Sequence, residues 1–173
     1  MMKGVFSMII VFFAAAAANA QATSQYTELD DRKCRTLELI EDEGGSYKGE
    51  CAGIGGYKLH VIEGDLRQTV NVVDPKGKEF ELRFWEHFYA FSAVGPKAEW
   101  RVRNKKPFAL IIRLNVSEDP EKPDKTTSYL IVSKITKTAS CITDIIGPSR
   151  SQNAEARRLA DTASTRACKS KAA

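Results

Sequence analysis

The residues of this chain equipped for covalent or proton-transfer chemistry are four cysteines and two histidines, together with short runs of acids. Cys34, Cys51, Cys141 and Cys168 could serve as nucleophiles, metal ligands or disulfides. Zinc is disfavoured by spacing: no two cysteines fall within the few residues that ligand pairs use, and neither histidine sits beside one. His60 falls on the polar side of an alternating strand and His87 among aromatics, so both read as surface or core-rim residues. Two acids flanking a sugar bond suffice for glycoside hydrolysis, and Glu63 with Asp65, or Glu118 with Asp119 and Glu121, supply such pairs. Both sets lie in turn-like sequence, with no sign of a cleft to raise either pKa.

Other reaction classes fail on pattern. No Gly-x-Ser-x-Gly elbow occurs. Gly53-Ile54-Gly55-Gly56 lacks the dinucleotide fingerprint, because Lys58 follows and a strand stands where a helix is needed. The Asp119–Asp124 loop has prolines where a calcium loop needs glycine and alternating oxygens. The expectation is a chain that is not an enzyme and holds no metal or cofactor.

An address label precedes the rest. Lys3, the apolar Val5–Phe13 run and the small residues Ala18-Asn19-Ala20 form an export leader over residues 1–20. Cleavage after Ala20 leaves an exported, soluble chain, periplasmic in a Gram-negative cell, with no span crossing the membrane. An even cysteine count in such a chain argues for disulfides. Four cysteines allow more than one connectivity; the local one, Cys34–Cys51 with Cys141–Cys168, is expected, each bridge contributing about 3 kcal/mol.

The elements that must carry these residues read as mainly β (α+β): an antiparallel sheet or open barrel with one C-terminal helix, all within a single domain, residues 21–173. The centre is a hairpin after Cys51. Tyr57, Leu59 and Val61 alternate with Lys58 and His60, Glu63-Gly64-Asp65 forms the loop, and Val70 and Val72 return on one face. Before it, Gln21–Asp31 reads as a polar lead-in. Thr36–Glu41 fits strand and helix poorly, and Tyr47–Ala52 reads as a strand. After it, Phe80–Phe91 satisfies both periods and is expected to pack in the core. Gly95-Pro96 reads as a break. Trp100 and Val102 alternate with Arg101 and Arg103, and Phe108–Val116 reads as a strand covered on both faces. Tyr129–Ile135 and Cys141–Ile146 complete the strands. Ala156, Leu159, Ala160, Ala163 and Ala167 then mark a narrow helical face within about 152–168.

Charge separates the sheet from the tail. From Gln21 to Ser149 there are 19 basic and 20 acidic residues, whereas Arg150–Ala173 holds six basic residues against Glu155 and Asp161. A near-neutral exported body is a poor partner for nucleic acid. The basic tail offers a face to peptidoglycan or another anionic surface.

Three segments, Cys51-x-Gly-x-Gly-Gly-Tyr57, Glu63-Gly-Asp-Leu-Arg67 and Pro107-Phe-Ala-Leu-Ile-Ile-Arg113, resemble small exported proteins of Gram-negative bacteria. By architecture the chain is similar to periplasmic lysozyme inhibitors, small cysteine-stapled β proteins that plug a muramidase cleft. That resemblance implies a protein partner, a lysozyme or other peptidoglycan hydrolase, met by rigid turns. The candidate contact residues are Tyr57, Glu63, Asp65, Arg67, Trp100 and Arg101. The alternative is a structural envelope protein that binds peptidoglycan through the basic C-terminal helix.

Overall fold

The computed structural model describes residues 21–171 except Glu43 and Pro123, so the expected leader lies outside the described residues. Within them, one sheet is built from β1 (Thr23–Glu28), β2 (Arg35–Ile40), β3 (Ser46–Ala52), β4 (Lys58–Gly64), β5 (Arg67–Val73), β6 (Glu79–Glu81), β7 (Ser92–Arg103), β8 (Lys106–Val116), β9 (Thr127–Ile135) and β10 (Ser140–Ile146). Its order is β10-β9-β8-β7-β5-β4-β3-β2, with β1 added to β7 and β6 to β5. Every pairing is antiparallel except the single parallel bridge of Arg67 with Ser92. The fold is therefore mainly β, as expected, and the sheet stays open. β6 and β10 approach each other without pairing and leave a seam.

Alternation places one continuous core inside the curl. Leu59 and Val61 of β4, Val70 and Val72 of β5, Trp100 of β7, and Leu110, Ile112 and Leu114 of β8 all face it and are buried. Trp100 is fully buried; its Nε1 donates to Thr27 Oγ1 at 2.9 Å, and Thr27 donates on to the Ala52 carbonyl at 2.8 Å. This chain of bonds ties β1, β7 and β3 together. The opposite face of β8 and β9 carries Ala109, Ile111, Leu130 and Val132, covered by the helix α1 (Gln152–Ala160) through Ala156 and Ala160. Alanines let helix and sheet approach closely, and Gln152 pins the helix start by donating to the carbonyls of Ser128 (2.8 Å) and Ile146 (3.0 Å).

Cys34 bonds to Cys51 and Cys141 to Cys168, the pairing expected. The first joins β2 to the end of β3. The second anchors the chain beyond the helix onto β10, where Lys169 N also donates to the Ile142 carbonyl at 2.8 Å. β2 forms a free edge of the sheet and exposes Leu37, Leu39 and Ile40.

Several local expectations are corrected. Residues 23–28 of the polar lead-in form β1, whose polar side chains suit a strand lying on the rim of β7. Gly95-Pro96 does not break β7; it sits in a bulge between Val94 and Ala98, where the missing N–H of proline costs no ladder bond. The hairpin turn is Asp65-Leu66, one step later than expected, with Glu63 and Gly64 still in β4. The helix ends at Ala160 and not near 168, since Asp161 caps it and the chain turns back toward β10. Phe80–Phe91 is neither a helix nor one strand: β6 gives way to a short 3-10 turn at Phe84–Glu86.

Candidate functional site

The six residues proposed for contact divide into two groups. Trp100 and Arg101 lie inside. Arg101 is 7% exposed and makes a two-pronged bond to Asp161, Nε to Oδ1 at 2.7 Å and Nη2 to Oδ2 at 3.0 Å. Its role in this geometry is to lock the end of α1 onto β7. Tyr57 is half-buried against Trp100, with ring centroids 6.2 Å apart, and burial pushes its phenol pKa up. Glu63, Asp65 and Arg67, in contrast, are brought together at the β4–β5 tip. Arg67 pairs with Asp65 at 2.6 Å, and Gln68 Nε2 donates to Glu63.

That tip carries an apolar residue which sequence reasoning passed over. Leu66 has φ +56 next to Asp65 at φ +51, the left-handed pair that a tight two-residue hairpin turn demands. Such turns favour Asn and Gly; a leucine held there is strained. It is also 62% exposed. The Leu66 carbonyl accepts from Ser92 N at 3.0 Å, which sets Phe91 beside the tip. Phe91 and Tyr89, with Ser117, Glu118 and Pro120, enclose a shallow hollow of about 400 Å³. On the other side Trp85 shares a second hollow, about 460 Å³, with Ile62, Gly64, Asp65 and Arg67.

The aromatic run exposes these rings because of where it turns. Arg83 at φ +47 starts the 3-10 turn, so Phe84 goes inward at 1% exposure while its N–H donates to Thr69 Oγ1 at 3.0 Å. Phe88 packs on Tyr129, centroids 4.8 Å apart. Trp85, Tyr89 and Phe91 are left outward. The expectation that the whole run packs in the core thus holds for Phe84 and Phe88, fails for Trp85, Tyr89 and Phe91, and leaves Phe80 half-buried. The result is an ordered tip that exposes Leu66, with exposed Trp85 beside Asp65 and Arg67 and exposed Phe91 next to the Ser92 bond.

His60 does not stand alone. The register aligns Glu50, His60 and Asn71 across β3, β4 and β5. His60 Nδ1 lies 3.0 Å from Glu79 Oε1 and Nε2 lies 3.5 Å from Glu50 Oε2, ion-pair range without hydrogen-bond alignment. Lys48 and Asn71 also hold Glu79, and Lys58 holds Glu50. Both carboxyls are kept down at about 2: that of Glu50 chiefly by the Lys58 bond, that of Glu79 by Asn71, His60 and Lys48 against an opposing effect of burial. This is a charge network that crosslinks four strands. Among the described residues no group of three or more metal-ligating side chains forms, and every cysteine is in a disulfide.

Three of the six basic residues of the tail are engaged internally. Arg157 pairs with Glu99 at 2.7 Å, Arg166 with Asp144, and Lys171 with Glu86 at 3.4 Å. No helix among the described residues is long and apolar enough to cross a membrane. No protein-family model, curated protein or solved structure matches the chain.

Proposed function

We propose that this chain is a periplasmic protein-docking module that inhibits a lysozyme-type peptidoglycan hydrolase by inserting the β4–β5 tip into the enzyme's cleft. The observation carrying this reading is the strained, exposed Leu66 at the β4–β5 tip, with exposed Trp85 sharing a hollow with Asp65 and Arg67, and exposed Phe91 preceding the Ser92 that bonds Leu66. A clustered apolar surface of this kind on a rigid projection is what a buried interface centre needs. Because the turn is already ordered by its strands and by the Ser92–Leu66 bond, docking costs little additional chain entropy. Asp65 and Arg67 supply rim charges that set orientation more than affinity. The engaged state of Arg157, Arg166 and Lys171 weakens the alternative, in which the tail grips peptidoglycan.

The test is lysis of cell walls by several muramidase types, followed by turbidity, with the purified protein in micromolar excess. Inhibition is expected for at least one type. Leu66→Asp and Trp85→Ala should each weaken it about tenfold or more, on the scale of an interface anchor, while the melting temperature stays within a few degrees. Lysis at the unaltered rate with every enzyme, or inhibition by both variants as strong as that of the unaltered chain, defeats the proposal.

A further inference from the structure

The seam between β6 and β10 holds a cavity of about 500 Å³ that the tip does not reach and that the charge network touches only through Glu79. Its lining is mainly polar, with apolar surface contributed by Phe80, Leu82 and Ile142. Ser140, at the start of β10, lines it; the residue is 7% exposed, and its Oγ has no partner among the described residues. A buried hydroxyl left without a bond is costly, and rotation about the Cα–Cβ bond is the motion that would turn it toward a guest.

The charges of the walls are unequal in their freedom. Glu79 is held by Lys48 and Asn71, Glu81 by Arg83 at 2.6 Å, and Glu86 by Arg83 and Lys171. Lys169 has no acid partner among the described residues, yet its backbone is fixed by the adjacent Cys141–Cys168 bridge and by the Ile142 bond. His87 lines the same wall, and burial together with the Lys169 charge pushes its pKa down, so it stands neutral with one N–H to give. The lining of this one cavity thus includes an ammonium, an imidazole and a hydroxyl beside the apolar side chains of Phe80, Leu82 and Ile142.

We propose that this seam is a binding site for a small organic carboxylate with an apolar end, the carboxylate meeting Lys169 and Ser140 and the apolar part lying on Phe80, Leu82 and Ile142. The volume falls in the range of sites for small molecules. Charge-assisted bonds to the carboxylate provide selection, and the apolar side chains provide affinity.

N-acetyl-leucine and its uncharged counterpart N-acetyl-leucinamide are the probes, titrated into the ¹⁵N-labelled protein and followed by NMR. The acid should give saturable shifts at the amides of Ser140, Ile142 and Lys169, with affinity about tenfold above the amide's. Lys169→Gln should remove that preference, and Ser140→Ala should weaken the acid alone, while resonances remote from the seam stay in place. Equal binding of acid and amide overturns the proposal. So does the absence of saturable shifts, or an unchanged preference in Lys169→Gln.

Discussion

Glu79 is the residue on which most of the outer-face network converges, since Lys48, His60 and Asn71 all address one carboxylate. Its folded pKa lies near 2 against an ordinary 4.5. A depressed carboxyl stabilises the fold above its unfolded value, and that contribution is lost as pH falls from 4.5 toward 2. Urea unfolding between pH 2 and 7 should therefore show stability declining below about pH 4.5. Glu79→Gln should cost about 1 kcal/mol at neutral pH, a figure discounted for a side chain 30% exposed, and should flatten the acid limb. None of this was legible from the chain alone. His60 looked solitary because its partners lie far away in sequence, and only the cross-strand register makes Glu50 its neighbour. Trp100 and Arg101 misled for a related reason: alternation put them on opposite faces, correctly, but Trp100 faces the core and Arg101 is closed over by its bonds to Asp161 at the end of α1 and to Ser24 of β1, so both are buried.

At the scale of elements, hydrophobic period carried far. The central hairpin, the doubly covered β8 and the alanine face of α1 follow from spacing, whereas Thr36–Glu41, which fitted neither period, proves to be β2, and the helix stops short of Cys168. What spacing missed were elements defined by their neighbours. β1 is polar because it needs only one covered face, and the bulge at Gly95-Pro96 continues a strand that proline seemed to end. Gly53 shows a subtler case. It reads as turn freedom, but the structure needs it for closeness: a Cβ there would sit 2.5 Å from the Tyr57 carbonyl oxygen and 2.9 Å from the Trp100 ring. Gly53→Ala is expected to destabilise by about 1–3 kcal/mol, the usual cost of overpacking. Urea midpoints at constant m-value check this, and a loss of the near-ultraviolet Trp100 dichroism should accompany it.

For the molecule as a whole, each disulfide fastens strands within its own part of the sheet, and none spans the seam. Replacing Cys141 and Cys168 together by serine should lower the unfolding free energy by about 3 kcal/mol. Hydrogen exchange should then quicken at Lys169, whose N–H bond to Ile142 depends on that tether. Cys34–Cys51 has a different duty. It holds the outermost ribbon, β2, whose Leu37, Leu39 and Ile40 already face solvent. Were reductant to sever it, that ribbon would come away as an oily, half-paired template inviting other copies to stack against it. The intact Cys34–Cys51 bridge thus governs colloidal behaviour as much as rigidity, and thiol reagents should cloud a concentrated solution before they unfold its core.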